Sequence, residues 1–84
     1  MSARLTMTRP DQTPHALHME RRVYDAARQF ITEHGYPPTV RELAALVGYR
    51  NASSVMVRLH DMRYRGYVNF VDATPRTLVL IRRP

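Results

Sequence analysis

Two adjacent prolines, Pro37 and Pro38, forbid a continuous helix through the middle of this chain, and their neighbours dictate what replaces it. Gly35 stands two residues before them and supplies a left-handed stop for a helix arriving from the N-terminal side. Thr39 follows at once. With Glu42 it spells Thr-x-x-Glu, a capping box that starts a second helix. Leu43, Leu46 and Val47 give that helix an apolar face, and Gly48 ends it. Tyr49-Arg50-Asn51 is then a turn, with Asn51 as the N-cap of a third helix from Ala52 to Arg65 that Gly66 stops. A short capped helix, a tight turn and a following helix have the spacing of a helix-turn-helix.

The flanking segments complete the architecture. Thr13-Pro14 reads as an N-cap followed by proline at the first helical position, so a first helix runs to about His34. Its buried stripe is Val23, Tyr24, Ala27, Phe30 and Ile31, while Arg21, Asp25 and Arg28 lie opposite at ion-pair spacing. In the third helix Val55, Leu59 and Met62 share the core face; Ser53, Ser54, Val57, His60, Asp61 and Tyr64 take the other side. Tyr67–Val71 and Thr77–Ile81 are rich in β-branched and aromatic residues and form a hairpin around the turn Asp72–Arg76. Alternation turns Leu78 and Leu80 inward and Val79 and Ile81 outward. Residues 1–12 form a polar tail in which Ala3, Leu5 and Met7 alternate with Arg4, Thr6 and Thr8, a pattern that permits a short strand. The expected fold class is mainly α with a small β-hairpin (α+β): a three-helix winged helix-turn-helix over residues 13–84.

Charge narrows the partner. The chain carries six net positive charges, all its basic side chains apart from histidine being arginine. Guanidinium grips phosphate through a planar fork and also reads guanine, so double-stranded DNA is the expected partner. The chain has no cysteine, which excludes disulfides and thiolate metal sites and fits a reducing cytoplasm. No apolar run has the length of a signal peptide core or a membrane span. His15 and His18 are three residues apart, but zinc needs three or four ligands, so no metal or other cofactor is expected. No nucleophile has an evident base and no glycine-rich phosphate loop is present, so an enzyme is not expected.

The third helix is the candidate recognition helix, residues 52–65, entering the major groove, with the wing, residues 67–81, on the DNA backbone. Its first turn, Asn51 to Ser54, is small and polar, and Asn51, Ser53 and Ser54 can hydrogen-bond base edges. Val57 is apolar yet faces outward, which suits either a thymine methyl or a protein partner. Arg41, Arg50, Arg58, Arg63, Arg65 and Arg76 recur where this architecture approaches phosphate. Asp61 opposes them, so only the first two turns of the helix are expected to insert.

With these residues in place, the segment from about Val23 to Leu80 resembles the N-terminal DNA-binding domain of the LexA repressors, actinobacterial ones especially. The resemblance rests on Gly35-Tyr36-Pro37-Pro38, Arg41-Glu42, Val47-Gly48, Ser53-Ser54-Val55, Leu59, Gly66-Tyr67 and Pro75-Arg76, in the family's spacing without a gap. It implies a winged helix-turn-helix that binds operators and represses transcription. It places base-reading positions at Asn51, Ser53, Ser54, Met56 and Val57, and phosphate contacts at Arg41, Arg65 and the wing around Arg76. LexA repressors continue into a protease-like, dimerising domain that this sequence does not contain, so self-cleavage and damage sensing are not carried over. Met56 and Val57 are also more apolar than the family usually shows there. The leading expectation is a sequence-specific transcriptional regulator of repressor type. The alternatives are a fragment of a full-length LexA repressor, or a winged-helix protein adaptor anchored by Met56 and Val57. A homodimer through the N-terminal tail and strand 77–81 is a further expectation.

Overall fold

The structure, a computed structural model, describes residues 13–84; the tail and its expected strand lie outside the described residues. Three helices precede a two-stranded antiparallel hairpin: α1 is Pro14–His34, α2 Val40–Val47, α3 Ala52–Tyr64, β1 Val68–Asn69 and β2 Val79–Leu80. The helix boundaries follow the caps. The Thr13 hydroxyl accepts from the Ala16 amide at 3.0 Å, and Gly35, at φ +81°, closes α1. The Thr39–Glu42 capping box is complete: the Thr39 amide donates to Glu42 Oε1 at 2.8 Å and the Glu42 amide to Thr39 Oγ1 at 3.1 Å. Gly48 adopts φ +90°, a conformation that releases the chain into the four-residue turn before α3.

The core lies where the three helices and the hairpin meet. Val23 and Ala27 of α1, Leu43 and Val47 of α2, Val55, Leu59 and Met62 of α3, and Val68 and Leu78 of the hairpin are buried together. Each large apolar side chain so buried contributes roughly 1.5–3 kcal/mol. Two expected core positions differ. Leu46 is 54% exposed, because α2 inserts the edge formed by Leu43, Ala44 and Val47 and turns Leu46 away. Ile31 is only half-buried, since Phe30 fills the end of α1 against His34 and Tyr36, with ring centroids 4.1 and 5.8 Å away. Arg22 of α1 donates to the Val47 carbonyl at 2.9 Å, placing a cation on the C-terminal end of α2.

The outer face of α1 also pairs differently from expectation. Asp25 bonds Arg83 through both oxygens, at 2.8 and 2.9 Å, and Arg21 donates to the Pro84 carbonyl at 2.9 Å. The C-terminal segment therefore lies along α1. The hydrogen bonds from Arg83 hold the Asp25 carboxyl below its ordinary value of 3.8.

The hairpin is shorter than its sequence suggests. Val68 pairs with Leu80 and Asn69 with Val79, and no strand extends to Val71 or begins at Thr77. The Thr77 side chain replaces the missing ladder, accepting from the Val71 amide at 2.9 Å and donating to the Thr74 carbonyl at 3.0 Å. Pro75 cannot donate, and Ala73 and Arg76 take φ +57° and +59°, so this loop cannot be a regular ladder. Leu78 is buried and Leu80 half-buried, while Val79 and Ile81 face outward as alternation predicts. The result is a three-helix winged helix-turn-helix.

Candidate nucleic-acid interface

The exposed start of α3 is organised around one atom. Asn51 Oδ1 accepts from the Ser54 amide at 3.1 Å, the Ser53 hydroxyl at 2.7 Å and the Ser54 hydroxyl at 3.1 Å. The cap thus satisfies a helix N-terminus and fixes both serines. Asn51 and Ser53 are exposed and Ser54 is half-exposed. One turn further on, Val57 is 60% exposed. Ser53, Ser54 and Val57 share a face of α3, and with the Asn51 cap they stand toward the N-terminal end of the helix, where positive partial charge accumulates. Met56 is placed differently. It is half-buried, packs on the core, and lines a groove of about 400 Å³ between α2, α3 and the wing.

The arginines divide into two sets. Arg41, in the first turn of α2, and Arg50, immediately before the α3 cap, are exposed, and their side chains make no hydrogen bond or ion pair among the described residues. Arg58 is half-buried and reaches back to the Tyr49 hydroxyl at 3.2 Å. The others hold the fold. Arg65 pairs at 3.2 Å with Glu20, whose side chain is fully buried. Arg63 bonds the Phe70 carbonyl and Asp72, each at 3.1 Å, and lies 4.1 Å over the Phe70 ring, fastening the wing to α3. Arg76 grips both oxygens of Glu42, at 3.0 and 3.1 Å, donates to the Pro37 carbonyl at 3.0 Å and covers the Tyr36 ring.

Local pattern gave no sign of these clasps. Glu42 was legible as a capping residue, but its second partner stands 34 residues away. Its carboxyl is held below the ordinary value of 4.5 by the Thr39 amide and then by Arg76. A depressed carboxyl stabilises the fold above the unfolded value and loses that contribution as pH falls from about 4.5 through the lower folded value. The wing clasp should therefore release on acidification, seen as a shift of the Tyr36 ring resonances, and Glu42→Gln should remove that step. A Tyr36 titration unchanged in the variant would contradict the assignment.

Among the described residues no cluster of three potential metal ligands occurs, and no helix is long and apolar enough to cross a membrane.

Comparison with known proteins gives this geometry a lineage. Residues 18–77 match the model of the LexA DNA binding domain family. The chain is 34% identical over 64 residues to the LexA repressor of Carboxydothermus hydrogenoformans, covering 76% of this chain and 31% of that protein. It is 34% identical over 59 residues to LexA repressor 1 of Nocardia farcinica, covering 70% and 27%. Identity reaches 43% over 56 residues with the LexA repressor of Lacticaseibacillus casei, covering 67% and 25%. The chain thus spans about three-tenths or less of these relatives, and the match falls on the helix-turn-helix and most of the wing. With its capped α2, four-residue turn, exposed α3 start and clasped wing, this chain belongs to the LexA DNA-binding domain family.

Proposed function

We propose that this chain acts as a sequence-specific transcriptional repressor, reading double-stranded DNA with α3 in the major groove and setting the wing against the backbone. The observation that carries this is the exposed, polar first turn of α3, flanked by two arginines that no internal partner engages among the described residues. Asn51, Ser53, Ser54 and Val57 read bases, and Met56 supports them from the groove. Arg41 and Arg50 bind phosphate, with Arg58 beside them. Arg65 and Arg76 serve chiefly to hold α3 and the wing in position, through Glu20 and Glu42. The role is regulatory, and no catalytic step is assigned to any residue.

Selection from random duplex DNA, followed by salt titration on the enriched site, tests this reading. Each neutralised phosphate contributes about 0.9 to the slope of log affinity against log salt. Arg41→Ala and Arg50→Ala should each lower that slope by about one while leaving site preference intact. Failure to enrich any site, or binding indifferent to salt, would favour instead the protein adaptor anchored by Val57 and Met56.

Val79 of β2 and Ile81 just beyond it leave the outer side of the hairpin's second arm apolar, and an uncovered edge is one that proteins usually close. The alternating tail, Ala3 to Thr8, has the pattern to close it by pairing with the 77–81 segment around β2 of a second copy, giving a homodimer. Deleting residues 1–12 should then convert dimer to monomer in analytical ultracentrifugation; an unchanged mass would rule out the tail as the dimer contact.

A further inference from the structure

The hydrogen bonds at the start of α3 do more than cap it, because they fix which atoms remain to face a ligand. Asn51 Oδ1 already accepts three donors, so its side-chain amide must present its NH₂ outward. Each serine has turned its hydroxyl hydrogen to that oxygen, so what remains on Ser53 and Ser54 is acceptor capacity. The turn therefore offers donors at residue 51 and acceptors at residues 53 and 54. In a major groove the donors suit guanine O6 and N7 or thymine O4, and the acceptors suit the amino groups of adenine or cytosine. None of these polar atoms senses the one apolar feature of that groove, the C5-methyl of thymine.

Val57 supplies that sense. It lies within about 60° of Ser53 and Ser54 around the helix, given about 100° per residue. It is 60% exposed, and its branched side chain stands above the turn that carries the two serines. No other residue of the first two turns of α3 combines an apolar side chain with this exposure, since Val55 is buried and Met56 and Ala52 are half-buried. We propose that Val57 is a specificity-determining residue that reads the C5-methyl of a thymine. The proposal rests on the assignment of α3 as the recognition helix. Four residues of helix advance about 6 Å. The thymine should therefore lie roughly two base-pair steps, at about 3.4 Å each, from the base that faces Ser53.

The test removes one methyl at a time. With a duplex enriched from random DNA, each thymine is replaced in turn by deoxyuridine, which keeps every hydrogen-bonding atom and lacks only the methyl. Affinity is read by fluorescence anisotropy. One position per module should lose about three- to fivefold, the effect of leaving one methyl-sized group unburied. Placing 5-methylcytosine opposite guanine there should restore part of the loss relative to unmodified cytosine. Val57→Ala, a substitution on an exposed helical position that favours helix, should lower affinity for the thymine site by a similar factor. It should also make thymine and deoxyuridine equivalent, with an unchanged circular dichroism spectrum.

A flat deoxyuridine scan, with site-specific binding intact, would overturn the role of Val57 and leave the recognition-helix assignment standing. Undiminished thymine dependence in Val57→Ala would equally overturn it, by placing the methyl reader elsewhere. If no duplex is preferred over any other, the recognition-helix assignment itself fails and the proposal falls with it.

Discussion

Replacing Glu20 with alanine should remove a large share of the protein's stability, although Glu20 lies on α1, outside the candidate interface. Its side chain is fully buried and pairs with Arg65, whose side chain is only 13% exposed, at 3.2 Å. Taking one member from a buried pair leaves the other charge in low dielectric, at a cost of about 3–5 kcal/mol. A domain of this size has only about 5–15 kcal/mol of stability in all. At about 4–8 °C per kcal/mol for such a chain, the thermal midpoint should fall by roughly 12 °C or more. Replacing both partners, with Glu20→Leu and Arg65→Met together, should recover much of the loss, because packed apolar residues often match or exceed a buried ion pair. Thermal denaturation followed by circular dichroism decides it. A Glu20→Ala midpoint within 3 °C of the parent would show that the pair does not hold α1 to α3. The recovered double variant has a second use: DNA affinity close to the parent's would establish that Arg65 acts through the fold and not on phosphate.

Ser54→Glu should have the opposite profile, a folded protein that no longer finds its site. Residue 54 is the third position of α3 counted from the Asn51 cap. Glutamate there can complete a capping box and meets the positive end of the helix dipole, so the helix should lose nothing. In the proposed binding mode the same carboxylate would face the groove and bring a negative charge toward the phosphates and base acceptors. It also removes the Ser54 hydroxyl bond to Asn51 Oδ1. Specific affinity should drop to the non-specific level, roughly a thousandfold, while the thermal midpoint stays level or rises. Retained site-specific affinity in this variant would remove α3 from the interface.

The contrast between these variants marks what was legible in the sequence. The helix caps and stops were, because each is encoded within four residues: Thr13, the Thr39–Glu42 box and Asn51 each cap a helix, and Gly35 and Gly48 each end one. The face of α3 was legible too, because Val55, Leu59 and Met62 repeat at helical spacing and are buried. α2 is only eight residues long, too short for periodicity to distinguish Leu46 from Ala44 as the inward residue. The wing was legible as a hairpin but not in extent, since Thr77 takes over the hydrogen bonds of a ladder that Pro75 and two left-handed residues interrupt. Least legible was the division of the arginines. Thirteen identical charges carry no local mark of which will meet Glu20, Asp72 or Glu42, because those partners stand 45, 9 and 34 positions away. Only the folded arrangement separates Arg41 and Arg50 from the arginines that hold α3 and the wing.

The central claim, that the first turns of α3 and the arginines beside it form the DNA-binding surface, is tested most directly by amide chemical-shift mapping. The uniformly ¹⁵N-labelled chain would be titrated with its selected duplex. The perturbed amides should cluster at residues 39–42 and 50–57, with smaller changes at the wing. The outer face of α1 around Asp25, and the C-terminal segment that covers it, should stay silent. Perturbations centred on α1 or on the Val79 and Ile81 face, with residues 50–57 unmoved, would contradict it.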